Sequence, residues 1–297
     1  MSTIDIVLAT YNGEKYLSEQ LDSIIAQSYQ NWRVLVSDDG SSDNTLLILE
    51  KYVACDKRIL LVNKARQGGV VKNFSKALEF VTSNYVMFSD QDDYWLPDKV
   101  LRTLEILTSN EKSIGNVPLL VFTDLTVVDE DLNTLKYSFY TSNGINPLNN
   151  LDSRYLLWRS TVYGCTVMFN KLLYEVAMPF SAEVTMHDQW FALKASLTGR
   201  VIYAEESHIY YRQHAKNVVG GRKRSFVERF KFTIISMKKI REAAYLTSKT
   251  VVNVSGAQES SFLHKLSFVR KNVIPYFYER KIYAFLFIIY YFLAMRK

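Results

Sequence analysis

Cysteine is nearly absent from this chain of 297 residues. Cys55 and Cys165 stand far apart and without metal-type spacing, which excludes a disulfide framework and fits a reducing compartment. The opening Met1-Ser-Thr-Ile-Asp has neither a basic region nor an apolar one of the kind that directs export, so a cytoplasmic location is expected. No Gly-x-Gly-x-x-Gly follows the first apolar run, which leaves a dinucleotide fold without support. No Gly-Lys-Ser/Thr loop occurs, which disfavours a P-loop phosphotransferase. Internal repeats and low-complexity tracts are also missing.

What is present is ordinary globular composition, 48% hydrophobic and 22% charged, with an uneven distribution of charge. Residues 221–297 hold 16 Lys/Arg against 4 Asp/Glu, a net +12. The first 220 residues hold 20 against 26, a net −6. A mildly acidic body therefore carries a strongly basic tail, which calls for a polyanion. Ile282–Met295 is an unbroken apolar and aromatic run between Arg280-Lys281 and Arg296-Lys297. It falls short of the roughly 20 residues of a spanning helix. Aromatics beside basic residues suit interfacial anchoring, so an anionic membrane surface is the expected partner and nucleic acid is not. The competing reading is a terminal helix packed in a core. Pairing of subunits through the tail stays open. Residues 217–224 read as a hinge, and removing residues from about 268 onward is expected to free the protein from membranes while sparing the rest.

The first half alternates strand and helix patterns. Ile4–Ala9, Trp32–Val36, Ile59–Val62, Tyr85–Phe88 and Leu119–Phe122 read as strands. Between them lie Tyr16–Ile25, Asp43–Val53 with Ser42 or Asp43 as cap, the Val70/Phe74/Leu78/Val81 stretch, and a helix opened by Pro97 with Val100, Leu104 and Leu107 inward. This alternation predicts an α/β fold with a mostly parallel sheet covered on both faces. Residues 133–160 read as a long polar, aromatic excursion. Order returns at Val162–Phe169, His187–Leu197 and Val201–Ala204.

Ligands bind beyond the carboxyl ends of the strands in such a sheet. Those ends carry Thr10-Tyr11-Asn12, Asp38-Asp39 and Asp90-Gln91-Asp92-Asp93. Five carboxylates on one rim repel one another unless a cation compensates. Oxygen ligands without a Cys or His cluster favour Mg²⁺ or Mn²⁺ over zinc. The pattern points to a nucleotide whose diphosphate is neutralised by a metal on an Asp-x-Asp loop.

These residues are recognisable. Ala9-Thr-Tyr-Asn-Gly with Val36-Ser-Asp-Asp-Gly-Ser-Ser-Asp resembles the nucleotide-binding half of family 2 glycosyltransferases with the GT-A fold. Phe88-Ser-Asp-Gln-Asp-Asp-Tyr-Trp95 looks like that family's Asp-x-Asp loop, in a form similar to the bacterial rhamnosyltransferase-like branch. Phe122-Thr-Asp-Leu, Val128-Asp-Glu, Gly164-Cys-Thr-Val-Met-Phe-Asn170, His187-Asp-Gln-Trp190 and Tyr210-Tyr-Arg-Gln-His214, with Asn217 behind it, agree. The resemblance covers about residues 4–220. It implies a nucleotide-binding half over about 1–115, an acceptor half over about 116–220, and a helical membrane-associating extension over 221–297.

The resemblance also implies roles. Thr10, Tyr11 and Asp39 hold the nucleoside, Asp39 through the pyrimidine N3–H, with Asn12, Asn73 and Gln91 nearby; Asp38 either joins them or caps the turn. Asp90 and Asp92 meet the metal and the donor ribose, Asp92 being the direct ligand, and His214 completes the metal–diphosphate site. Asp93 is expected to cap the helix opened by Pro97, with contact to the donor sugar as its alternative. Asp188 matches the catalytic base of an inverting transferase, with an N-cap as its plainer alternative. His187 departs from the acidic neighbour common in the family. Trp95, Gly164, Cys165, His187 and Trp190 are acceptor-side candidates, Cys165 as a packing residue near the acceptor loop, with core packing the alternative for each Trp.

The implied function is non-processive transfer of L-rhamnose from a dTDP donor to a lipid-linked saccharide at the inner face of the plasma membrane, in surface polysaccharide or O-antigen synthesis. A UDP-hexose transferase is the alternative within the class. A catalytically silent nucleotide-sugar-binding scaffold is the alternative outside it.

Overall fold

In the computed structural model, which describes residues 2–180, 184–214, 226–255 and 261–294, the apolar runs of the first half become four parallel strands. These are β1 (Ile4–Thr10), β2 (Trp32–Asp38), β3 (Ile59–Asn63) and β4 (Tyr85–Ser89), in spatial order β3-β2-β1-β4. β1, β2 and β4 are buried almost throughout, because helices cover both faces. α1 (Leu17–Ile25) turns Leu17, Leu21 and Ile24 inward, and α3 (Val70–Leu78) turns in Phe74, Ala77 and Leu78. α2 (Thr45–Cys55) follows a turn in which the Asp43 carboxylate accepts from Thr45 N at 3.0 Å.

The whole sheet is mixed rather than mostly parallel. β8 (Val167–Asn170) lies antiparallel between β4 and β6 (Leu119–Val128). β9 (Arg200–Arg212) runs parallel to β6, while β5 (Tyr94–Trp95) and β7 (Thr134–Lys136) add antiparallel ladders. Alternation of apolar runs does not encode strand direction. β8 enters from the 133–160 excursion instead of from a crossover helix, and so reverses the sense.

Three stretches are more ordered than their composition suggests. β6 continues to Val128 and is buried throughout, since the carboxylate of its polar residue Asp124 accepts from Leu125 N, Phe139 N and Ser138 Oγ. β9 continues eight residues past Ala204. The excursion folds into α5 (Phe139–Asn143), a 3₁₀ turn at Pro147–Leu151 and α6 (Ser153–Leu156), burying Tyr140, Tyr155, Leu156 and Trp158. α4 (Lys99–Ile114) points Val100, Leu104 and Leu107 inward, with Pro97 two residues before its start. α7 (Lys171–Ala177) and α8 (His187–Thr198) complete the body.

The tail forms α9 (Phe226–Ser255), α10 (Phe262–Phe268) and α11 (Lys281–Leu293). Among the described residues no helix is long and apolar enough to cross a membrane. α11 buries Ala284, Phe287 and Tyr291 in a cluster with Ile240, Ala244 and Phe268 of the tail and Tyr155 and Trp158 of the body. Lys265 Nζ donates to the carbonyls of Tyr291 and Phe292 at 3.0 and 3.1 Å, closing the C-terminal end of α11 with a cation. Glu279 accepts from Asn146 N, Asn149 Nδ2 and Tyr155 Oη and faces Arg159 Nε at 3.6 Å. The hinge expected at 217–224, and Asn217, lie outside the described residues.

Candidate active site

The carboxyl ends of β1, β2 and β4 form one rim. Asp38 at the end of β2 is fully buried and accepts from Thr10 Oγ1 at 2.8 Å, Ser41 N at 2.7 Å and Ser41 Oγ at 2.6 Å. It shapes the turn, with Thr10 as its partner. Asp39 accepts from the N–H groups of Gln67, Gly68 and Gly69. Burial pushes its carboxyl up, but these three donors outweigh that and hold it ionised below the ordinary range. Tyr11 stands half exposed beside it, with its ring open to a base.

The Asp-x-Asp loop is tied down at both ends. Gln91 makes two bonds to the Tyr11 backbone, accepting from N at 2.8 Å and donating to O at 3.1 Å. A Cβ on Gly13 would stand 2.3 Å from Gln91 Oε1, so this clasp depends on glycine there. On the far side, β5 begins one residue after Asp93 and pairs with β9, Tyr94 opposite Tyr210 and Trp95 opposite Ile209. That pairing carries the end of β9 to the loop. Asp92 Oδ2 lies 2.8 Å from His214 Nε2. The His214 ring packs on Tyr16 of the segment leading into α1, centroids 5.1 Å apart.

Burial and the charges of Asp92 and Asp188 push the Asp90 carboxyl up to about 7. Asp188, in the first turn of α8, is also pushed up by burial, to about 6. Its carboxylate accepts from Gly164 N at 3.0 Å and from Gln189 N at 2.6 Å, which fixes its orientation. Met186, not Asp188, occupies the N-cap position. The site thus pairs a recessed acid of raised pKa with an acidic rim that a cation can bridge. The donor set would suit one: Asp92 and His214 offer an oxygen and a nitrogen 2.8 Å apart, and Asp90 and Asp93 lie together beside Cys165.

Residues 5–171 match the family model Glycosyl transferase family 2. The chain belongs to this family. It is 28% identical over 233 residues to RfbG of Shigella flexneri, a dTDP-rhamnosyl transferase, covering 72% of this chain and 73% of that one. It is 30% identical over 119 residues to WfgD of Escherichia coli, a UDP-Glc:α-D-GlcNAc-diphosphoundecaprenol β-1,3-glucosyltransferase, covering 39% of this chain and 46% of that one. The structure of the mannosyltransferase PcManGT from Pyrobaculum calidifontis, in complex with GDP-Man and Mn²⁺, superposes with a TM-score of 0.58. Its identity is 16%, over 98% of this chain and 86% of that chain. The fold is of the GT-A type.

Several residues expected at the family's site stand elsewhere. Asn73 is buried, accepting from Ser37 Oγ and donating to the Thr10 carbonyl; it ties β1 to β2. Asn12, at φ 48°, accepts from Ser42 N and clamps the turn. Trp95 is 1% exposed and offers no face to an acceptor. Trp190 donates to the Ala177 carbonyl and packs against the core. His187 is buried, stacked on Phe74 at 3.8 Å, with burial pushing it down to about 3; it is a neutral packing ring. Cys165 is buried beneath the rim, near Asp90 and Asp93. Asp93 caps nothing: it is fully buried beside Cys165 and Asp90, and burial with the charges of Asp92 and Asp90 pushes its carboxyl well above the ordinary range. For Trp95, Trp190 and Cys165 this is the packing role the sequence also offered; for Asn12, Asn73, His187 and Asp93 the sequence does not report which neighbours the side chain meets.

Arg212 was legible only as part of a motif. Its guanidinium is buried, donating from Nε to the Asp92 carbonyl and from Nη1 to the Glu130 carbonyl, and pairing with Glu19 at 2.6 Å. It also lies over the Tyr16 ring at 4.4 Å. A charged residue directly after the apolar, aromatic Ile209-Tyr-Tyr was the available signal.

Proposed function

We propose that this chain is an inverting, non-processive transferase that moves L-rhamnose from a dTDP donor to a hydroxyl of a lipid-linked saccharide, in the synthesis of a surface polysaccharide. The observation that carries the reading is one recess holding an oriented, protonatable Asp188 beside Asp90 and the Asp92–His214 pair. The likeness to RfbG favours the sugar, and the name of WfgD supplies the class of acceptor.

Asp188 takes the proton of the acceptor hydroxyl. The oxygen forms its bond to the anomeric carbon on the face opposite the diphosphate, and the carbon–oxygen bond to the diphosphate breaks, its electron pair leaving with the phosphate. Gly164 N and Gln189 N hold the base in place, and Tyr11 and Asp39 bind the nucleoside. Asp92 and His214, with Asp90 beside them, would hold a divalent cation, which would neutralise the departing charge. Alignment of donor and acceptor contributes much of the rate.

The exposed side of the tail sets the membrane part of the reading. Ile282, Phe285, Ile289 and Leu293 form one stripe on α11, Phe262, Leu263 and Leu266 project from α10, and Arg270, Lys271, Arg280 and Lys281 are exposed around them. Such a surface suits an anionic leaflet on its cytoplasmic side. The test of the donor is purified full-length protein with Mn²⁺, bacterial membranes as acceptor, and dTDP-rhamnose, UDP-glucose and UDP-galactose in parallel. Release of dTDP alone is expected. Release of UDP alone would transfer the reading to a UDP-hexose, and no release from any donor would leave a nucleotide-sugar-binding scaffold.

A further inference from the structure

Tyr16, in the segment between β1 and α1, is buried, and three basic side chains surround its ring. Arg212 Cζ lies 4.4 Å from the centroid, Lys15 Nζ 4.8 Å, and the His214 ring 5.1 Å centroid to centroid. The His214 imidazole is the one that meets Asp92, so this group stands at the edge of the Asp-x-Asp loop. Arg212 is committed there: it is 1% exposed, pairs with Glu19 and donates to two carbonyls. Lys15 is not. Its side chain is 63% exposed, and its Nζ meets the Glu130 carboxylate at 2.5 Å.

Glu130 is placed by the strands rather than by Lys15. β6 and β9 run parallel with Val128 opposite Arg212, so Glu130 and His214 each stand two residues beyond that pair. Gln213 N donates to the Val128 carbonyl at 2.9 Å and Arg212 Nη1 to the Glu130 carbonyl, which fixes the backbone on which the carboxylate sits. An ion pair between exposed side chains adds little to stability. The rim beside it carries Asp90, Asp92, Asp93 and Asp188, and a nucleoside diphosphate would bring more negative charge to the same place. An ammonium on a flexible stem next to such a site can exchange a carboxylate for a phosphate.

We propose that Lys15 is a donor-binding residue that leaves Glu130 to contact the diphosphate of the nucleotide sugar, Glu130 keeping it beside the site until the donor arrives. The proposal rests on the reading of the Asp92–His214 end of the rim as the diphosphate site. The hydrogen bond with Glu130 pushes Lys15 up to about 12, so the ammonium is charged at any working pH. A plain brace between the β1–α1 turn and the β6–β7 turn would use the same ion pair with different consequences. A brace is broken equally by loss of either partner. An exchanging cation is lost with Lys15 but set free when Glu130 is neutralised, so the two substitutions act on donor binding in opposite directions.

The test uses the full-length chain with Mn²⁺ and measures binding of dTDP and UDP by calorimetry. The diphosphate that wild type holds more tightly is followed through the variants, and its nucleoside, which lacks the phosphates, is followed by NMR titration. Lys15→Met is expected to bind the diphosphate about tenfold more weakly, the order of one charge-assisted hydrogen bond, with nucleoside affinity unchanged. Lys15→Arg, which keeps the charge, is expected to stay within about threefold of wild type. Glu130→Gln is expected to bind the diphosphate about threefold more tightly. That gain should vanish in Lys15→Met/Glu130→Gln, which separates exchange of the lysine from a mere loss of negative charge. All these positions are exposed, so the fold is not at stake. Weaker binding by Lys15→Met and Glu130→Gln alike would make the pair a brace and overturn the proposal, as would a gain that survives in the double variant. Failure of wild type to bind either diphosphate would sink the donor reading together with the proposal, whereas wild-type binding unmoved by Lys15→Met would sink the proposal alone.

Discussion

Asp92 and His214 meet at 2.8 Å, carboxylate oxygen to imidazole nitrogen, across 122 residues of chain. The contact arises because β5, immediately after the Asp-x-Asp loop, pairs with β9 just ahead of Arg212 and His214. With Arg212 also gripping the Asp92 carbonyl, the loop and the end of β9 move as one unit. Two donors on one rigid element pair can hold a cation whose ligands come from opposite ends of the catalytic body.

Transfer is expected to stop in excess EDTA and to return on adding Mn²⁺ or Mg²⁺. His214→Ala should raise the Mn²⁺ concentration for half-maximal activity at least tenfold, and Asp92→Asn further, as loss of a direct ligand does. Metal titration of initial rates checks both, and undiminished activity in EDTA would remove the metal from the reaction.

Asp188→Asn keeps shape and loses basicity. Turnover is expected to fall by a factor of at least about 10², while donor affinity measured by calorimetry stays within about threefold of wild type. Near-wild-type turnover would release Asp188 from the role of base.

The raised pKa of Asp188 has two readable consequences. As a base it must be ionised, so kcat/KM should show an acid limb with a midpoint near pH 6 that is absent from the residual activity of Asp188→Asn. For stability the sign is opposite. The folded state holds the Asp188 proton more tightly than the unfolded chain does. Its contribution to stability is therefore fully present at acid pH and is lost as pH rises from the ordinary carboxylate value to about 6. Asp188→Asn is then expected to melt above wild type at pH 7 without metal, and below or equal to it at pH 4.

On the tail, Phe285→Glu with Ile289→Glu alters exposed positions of α11 and should leave the fold intact. Co-sedimentation with vesicles containing anionic lipid is expected to drop severalfold, with donor turnover in solution unchanged. Retained binding would point to another surface. Deletion from residue 268 is a poorer experiment than the sequence suggested, since it would bare Tyr155 and Trp158.

The rim was readable because strand ends announce themselves: an apolar run that stops at Thr10, Asp38 or Asp90 must place those side chains at one edge of a parallel sheet. Which of them face a ligand was not readable. Thr10, Asn12, Asn73 and Gln91 look alike in sequence, yet each spends its hydrogen bonds on a neighbouring turn or strand. The second half resisted for a different reason. Asp124 and Thr126 interrupt β6 with polar side chains whose partners include residues distant in sequence, Ser138 and Ser207. Arg212 was hidden by the ordinary expectation that such a residue faces water.

Glu279 gives the extension a grip on Asn146, Asn149, Tyr155 and Arg159. Grafting another relative's tail onto this body would thus mismatch a keyed joint rather than exchange a tether. A working chimera would have to bring the matching 143–159 stretch along with it, so that both halves of the joint travel together as one inherited piece.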